Sequence, residues 1–175
     1  MKSFKELKKE INNLTGDILL IGDLDLTNFP LTNKNKFADI YYLNENDNTF
    51  EDEDIETKNI ASNIQLKELH KYFKDGIDNI YCNYNEIKSH MPSFFRESLR
   101  ITKKKIYLIL KNKNDFKKIE KKYKRYNLEC NLYSFDECNL VIIESNDIIV
   151  NPLKEFYYYT LDNIEKAYNY ISDNL

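Results

Sequence analysis

Residues 77–110 read IDNIYCNYNEIKSHMPSFFRESLRITKKKIYLIL. Ile77–Asn83 and Lys105–Leu110 are short apolar runs, the length and composition of strands buried on both faces. Between them Pro92 sets the first turn of a helix, where its missing N–H costs nothing. Phe94, Phe95, Ser98, Leu99 and Ile101 then line one side of that helix. A helix joining two buried strands makes those strands parallel, because the chain must cross back over the sheet before it can pair again.

The same alternation extends in both directions. Towards the N-terminus, Asp17–Gly22 (DILLIG) and Ala38–Leu43 (ADIYYL) read as strands, and Ile55–Ile60 as a short third one. Ser62 or Asn63 caps a helix carrying Ile64, Leu66, Leu69, Tyr72 and Phe73, which Gly76 ends. At the start of the chain Ser3 and Glu6 form a capping box ahead of Phe4, Leu7, Ile11 and Leu14, and Gly16 is placed to terminate the helix with positive φ. Towards the C-terminus, Asn114 caps a helix with Phe116, Ile119, Tyr123 and Tyr126 as its stripe. Leu128–Phe135 and Leu140–Ser145 follow as strands whose short connection, Asp136–Asn139, predicts an antiparallel hairpin. Leu161, Ile164, Tyr168 and Ile171 mark a last helix over about 160–173. The chain therefore reads as one α/β domain over residues 1–175, with an N-terminal helix at 3–15, a core at 17–145 and a mainly parallel sheet covered by helices on both faces.

Composition supports a packed core. The chain has 175 residues, 42% hydrophobic and 14% aromatic, an aromatic load that a disordered chain does not carry. The 26 basic and 29 acidic residues are largely interspersed, so no overall basic excess marks a nucleic-acid-binding protein. The runs Lys103–Lys105 and Lys117–Arg125 read as solvated faces. Cys82, Cys130 and Cys138 are odd in number and have no metal-ligand spacing, and His70 and His90 add no cluster to them. The opening MKSFKELKKE is amphipathic and resembles neither a signal peptide nor a membrane span, which implies a cytoplasmic protein with reduced thiols.

A mostly parallel sheet closed by an antiparallel hairpin resembles the class I S-adenosylmethionine-dependent methyltransferase family, whose core is a three-layer Rossmann-like sandwich. The resemblance covers residues 17–145. It is carried by DNIYCNYNEIKSHMPSFF, RITKKKIYLIL and DFKKIEKKYKRYNLECNLYSFDECNLVIIES. In the family these segments are the strand that reaches the substrate pocket, the helix leading into the fifth strand, and the helix before the closing hairpin.

The resemblance also implies a site. S-adenosylmethionine would be the cofactor, and Gly22 in LLIGDLDLTN matches the first glycine of the loop beneath it. Asp23, Leu24 and Asp25 stand where further small residues are expected. Asn44, with Glu45 beside it, takes the place of the acidic residue that accepts hydrogen bonds from the ribose. Asn63 stands where the family often has Asp against the adenine, and Asn83 faces the substrate. No residue is implied as a catalytic acid or base, because methyl transfer needs mainly alignment of the acceptor behind the sulfonium.

Two other readings follow from the residues. The departures at Asp23–Asp25, Asn44 and Asn63 fit a non-catalytic Rossmann-like binding or regulatory protein acting through a protein partner. Asp23-Leu-Asp25-Leu-Thr27 also resembles the DxDxT motif of haloacid-dehalogenase-type phosphatases, which use the first Asp as nucleophile, the second as general acid/base, and Mg²⁺. The motif's usual glycine is Leu26 here.

Overall fold

The computed structural model describes residues 3–22, 37–43, 58–59, 66–126, 128–135 and 139–144, together with Thr160, Asn163, Ile164, Ala167, Tyr168, Tyr170 and Ile171. Helix α1 spans Phe4–Asn12. Its capping box forms as the sequence predicts: the Glu6 N–H donates to Ser3 Oγ at 3.3 Å, and the Ser3 N–H donates to the Glu6 carboxylate at 2.6 Å. The helix ends sooner than expected, with Asn13 as its C-cap. Gly16 does adopt positive φ, at 88°, but as the first residue of strand β1 (Gly16–Ile21). The Asp78 carboxylate occupies the space a Gly16 Cβ would need, and it accepts the Asp17 N–H at 3.2 Å.

Strands β2 (Phe37–Leu43) and β3 (Lys58–Asn59) follow. The helix expected after Asn63 is divided: a 3₁₀ turn at Leu66–Glu68 leads into a short α2 at Leu69–Tyr72. The proposed cap at Ser62 or Asn63 lies outside the described residues. Strand β4 is Ile77–Asn83. Two short turns that periodicity did not resolve come next, α3 (Tyr84–Ile87) and a 3₁₀ turn at Lys88–His90. Helix α4 (Met91–Ile101) then starts with Pro92 in its first turn, as expected.

Strand β5 (Thr102–Leu110) begins before the expected Lys105. Lys103 and Lys104 are exposed there, so the added residues lack the apolar signature of the strand's buried half. The cap after β5 is Asn112, not Asn114: Asn112 Oδ1 accepts the Asn114 N–H at 2.9 Å and starts a 3₁₀ turn at Lys113–Asp115. Helix α5 (Phe116–Lys124) and strands β6 (Cys130–Ser134) and β7 (Asn139–Glu144) complete the core. The described residues between 160 and 171 are helical, with Ile164, Tyr168 and Ile171 exposed.

Among the described residues the strands form an open seven-stranded sheet in the order β3-β2-β1-β4-β5-β7-β6. The pairs β2–β3, β1–β2, β1–β4 and β4–β5 are parallel, whereas β7 runs antiparallel to both β5 and β6. The expected hairpin is present, and its second strand lies inside its first. Alternation along each strand sends side chains to two faces. On one face, Leu7 and Ile11 of α1 cover Ile18, Leu20, Tyr81, Tyr107, Leu140 and Ile142. On the other, Leu69 of α2, Phe94, Phe95 and Leu99 of α4, and Ile119 and Tyr123 of α5 cover Leu19, Ile80, Leu108 and Val141. Helix on sheet on helix is the three-layer α/β sandwich expected.

Ser98, Tyr123 and Glu97, polar groups inside this second layer, are tied down. The Tyr123 hydroxyl lies 3.1 Å from Ser98 Oγ, which donates to the Phe95 carbonyl at 2.9 Å. Glu97 on α4 is completely buried, yet it is bracketed by cations and by the start of α2. Its carboxylate accepts the His70 N–H at 2.9 Å, lies 2.6 Å from His70 Nδ1 and accepts Arg100 Nη1 at 3.1 Å. That network fastens α2 to α4.

Candidate functional site

In this strand order the chain runs outward from β1 through β2 to β3, then returns to the other side of β1 to lay down β4 and β5. The reversal places a topological switch point between β1 and β4. Crossovers leave these two strands in opposite directions there, opening a crevice at their carboxyl ends. The residues in that crevice are set by register. Ile21 pairs with Cys82 on one side and Leu43 on the other, so Gly22, one residue past β1, and Asn83, the last residue of β4, emerge next to one another. Both were expected at the site from sequence.

Gly22 is buried and has φ of 81°, a conformation that L side chains rarely adopt. Its N–H donates to the Leu43 carbonyl at 2.9 Å, which extends the β1–β2 ladder by one step before the chain turns away. Asn83 ends β4 and caps α3: its Oδ1 accepts the Asn85 N–H at 3.1 Å and lies 3.1 Å from Asn85 Nδ2. Across β5 its register partner is Ile109. Asp23, Asn44, Glu45 and Asn63 lie outside the described residues, as do Asp25 and Thr27 of the DxDxT-like stretch. Leu43 directly precedes Asn44, so the described end of β2 leads towards the same crevice.

Sequence patterns assigned nothing to the far lip of this crevice, where the turns after β4 and β5 meet. Lys88 donates to Asp115 Oδ2 at 3.0 Å, and Asp115 is 5% exposed. Tyr84 is buried beside them; burial, and then the Asp115 charge, push its phenol above the ordinary value, so it remains a neutral hydroxyl. The only sequence signal for this pair was one acid in a basic stretch, Asp115 in LKNKNDFKK, and nothing in its spacing tied it to Lys88. The described rim thus offers a glycine without a side-chain wall, an amide and a neutralised ion pair. Among the described residues no group of three or more His, Cys, Asp or Glu could hold a metal ion, and no helix is long and apolar enough to cross a membrane. Cys82, which is buried, and Cys130, which is half-buried, are not in disulfides.

By sequence the chain matches no family model and no curated protein. Its architecture does match solved structures. The magnesium protoporphyrin IX methyltransferase of Synechocystis PCC 6803, with bound S-adenosylmethionine, superposes with a TM-score of 0.54 at 9% identity, covering 82% of this chain and 78% of that one. An rRNA methylase of Streptococcus thermophilus gives 0.53 at 12% identity, covering 83% and 98%. The N-methyltransferase NodS of Bradyrhizobium japonicum gives 0.53 at 10% identity, covering 81% and 96%. The protein therefore has the Rossmann-like fold of class I S-adenosylmethionine-dependent methyltransferases. At these identities the likeness is one of fold.

Proposed function

We propose that the protein binds S-adenosylmethionine at the carboxyl ends of β1, β2 and β4 and acts as a methyltransferase of this fold. The observation that carries the proposal is Gly22: a buried glycine with φ of 81° at the end of β1, on the β1–β4 switch point. Without a Cβ at that position, the backbone can approach the amino-acid portion of the cofactor closely. Asp23, Asn44, Glu45 and Asn63 are assigned to the cofactor, with Asn44 presenting an amide acceptor to the ribose. Asn83 is assigned to the substrate side. When bound, the cofactor supplies a methyl group on a sulfonium. The chain's own contribution is to position the acceptor, with Asn83 held by its cap to Asn85 and Tyr84 kept protonated behind it.

A second reading, a non-catalytic module with the same fold, is favoured by one specific feature. The Gly22 N–H and Asn83 Oδ1 already have partners inside the protein, so neither is idle without a ligand. Calorimetric titration with S-adenosylmethionine and S-adenosylhomocysteine separates the two. The methyltransferase reading expects micromolar binding, weakened about 2- to 12-fold by Asn44→Ala as one net hydrogen bond is lost. No heat at millimolar ligand, with circular dichroism showing a folded protein, transfers the assignment to the non-catalytic module.

A further inference from the structure

The charge that looks balanced along the chain is not balanced in space. Residues 111–125 hold eight basic and two acidic residues, in a chain that has 26 basic and 29 acidic residues altogether. Both acids in this stretch are already engaged, Asp115 with Lys88 at 3.0 Å and Glu120 with Lys124 at 2.7 Å. Helix α5 turns its apolar side, Ile119 and Tyr123, completely into the sheet. Its opposite side is formed by Lys117, Lys118, Lys121 and Lys124, all exposed. At helical spacing, residues 117, 121 and 124 make one row, with 118 beside it. Lys111 and Lys113 continue the exposed surface back to the end of β5. Lys111, Lys113, Lys117 and Lys118 have no acidic partner among the described residues. This surface begins on the lip of the candidate site, because Lys88 and Asp115 join the turn after β4 to the turn before α5.

We infer that the outward face of α5, with Lys111 and Lys113, docks the phosphate backbone of a nucleic-acid duplex beside the crevice at β4. A membrane surface fits less well, since the apolar side of α5 is buried and leaves nothing on that face to insert. Contact by lysine point charges with phosphates, without reading base edges, is the mode such a face offers, and it is available on RNA and DNA duplexes alike. The inference needs no cofactor and stands apart from the methyltransferase proposal.

The test is fluorescence anisotropy of a labelled RNA hairpin titrated with the full chain in the absence of S-adenosylmethionine, over a salt series, with a DNA hairpin of the same sequence alongside. The triple substitution Lys117→Glu, Lys118→Glu, Lys121→Glu is compared with Lys74→Glu, an exposed lysine at the amino end of β4. Micromolar binding of RNA is expected. In the triple variant affinity falls at least about tenfold, and the slope of log K against log salt drops by about 1 for each phosphate contact removed. Lys74→Glu should bind as the parent does. Circular dichroism checks that each variant is folded. Absence of RNA binding at low salt, an unchanged affinity and slope in the triple variant, or an equal loss in Lys74→Glu would each overturn the assignment, and the DNA hairpin, which offers the same phosphates, should bind comparably. A failed S-adenosylmethionine titration leaves these outcomes unaffected.

Discussion

Replacing Glu97 with alanine should be among the most damaging single changes away from the crevice, and its size can be worked from the network. The carboxylate is fully buried and holds the His70 N–H at 2.9 Å, His70 Nδ1 at 2.6 Å and Arg100 Nη1 at 3.1 Å. Removing one partner of a fully buried ion pair costs about 3–5 kcal/mol, because the other charge is left stranded. Here the partners are not fully stranded: the His70 and Arg100 side chains are 38% and 34% exposed and can regain water. The Coulombic part is therefore discounted for screening. What remains is chiefly the charge-assisted bond to the buried start of α2, and the net expectation is about 2–3 kcal/mol. In urea denaturation with an m-value of about 2 kcal/mol/M, the midpoint should fall by about 1–1.5 M with the slope unchanged. Glu97→Gln keeps one acceptor oxygen and should lose less. A double-mutant cycle with His70→Ala should return a coupling above about 0.5 kcal/mol. A Glu97→Ala midpoint indistinguishable from the parent would refute the claim that this network fastens α2 to α4, and a cycle that is simply additive would remove the His70 side chain from it, leaving the backbone N–H bond.

Other consequences can be checked separately. Gly16→Ala forces a side chain into φ of 88° and against the Asp78 carboxylate; a loss of at least about 1–2 kcal/mol should lower Tm by about 2–8 °C in a thermal melt. Burial raises the phenols of Tyr107 and Tyr123, while the unfolded chain ionises its tyrosines near pH 10. Lys105, though partly desolvated, is also raised, by Glu10 and Glu144. All three groups hold their protons longer in the folded state, so stability is retained below pH 10 and lost as pH rises beyond it. Ultraviolet titration should show a subset of tyrosines ionising only together with the loss of circular dichroism; uniform titration with the fold intact would contradict this. Burial pushes the Cys130 thiol up to about 12, and Cys82 is completely buried. In a Cys138→Ser protein, a thiol reagent at neutral pH should therefore find no fast-reacting group until denaturant is added.

The sheet was legible wherever burial dictated composition. The apolar runs in β1, β4 and β5 and the hairpin turn between β6 and β7 identify their strands, because a strand covered on both faces has little freedom in its residues. Legibility failed where solvent took over. Lys103 and Lys104 hide the start of β5, and α2 is too short to show a helical period. The true cap, Asn112, lost to Asn114 because both asparagines are competent and only backbone geometry separates them. At the site, Gly22 was readable because it directly follows an apolar run and matches the first glycine of the loop that the family resemblance implies. The Lys88–Asp115 pair joins turns far apart in sequence, and one-dimensional spacing carries no trace of that.

The position of β7 has a consequence for the order in which the protein can be assembled. Among the described strands β7 is the last to leave the ribosome, yet it lies between β5 and β6. Until it arrives, β5 presents an unpaired flank along Ile106 and Leu108, and β6 has no neighbour among the strands already made. The central parallel strands must therefore wait, with an adhesive edge open, for residue 144 to be synthesised. Any chain interrupted before that point would carry the open edge permanently, so a nonsense mutation upstream of β7 should yield aggregate and not a smaller soluble domain.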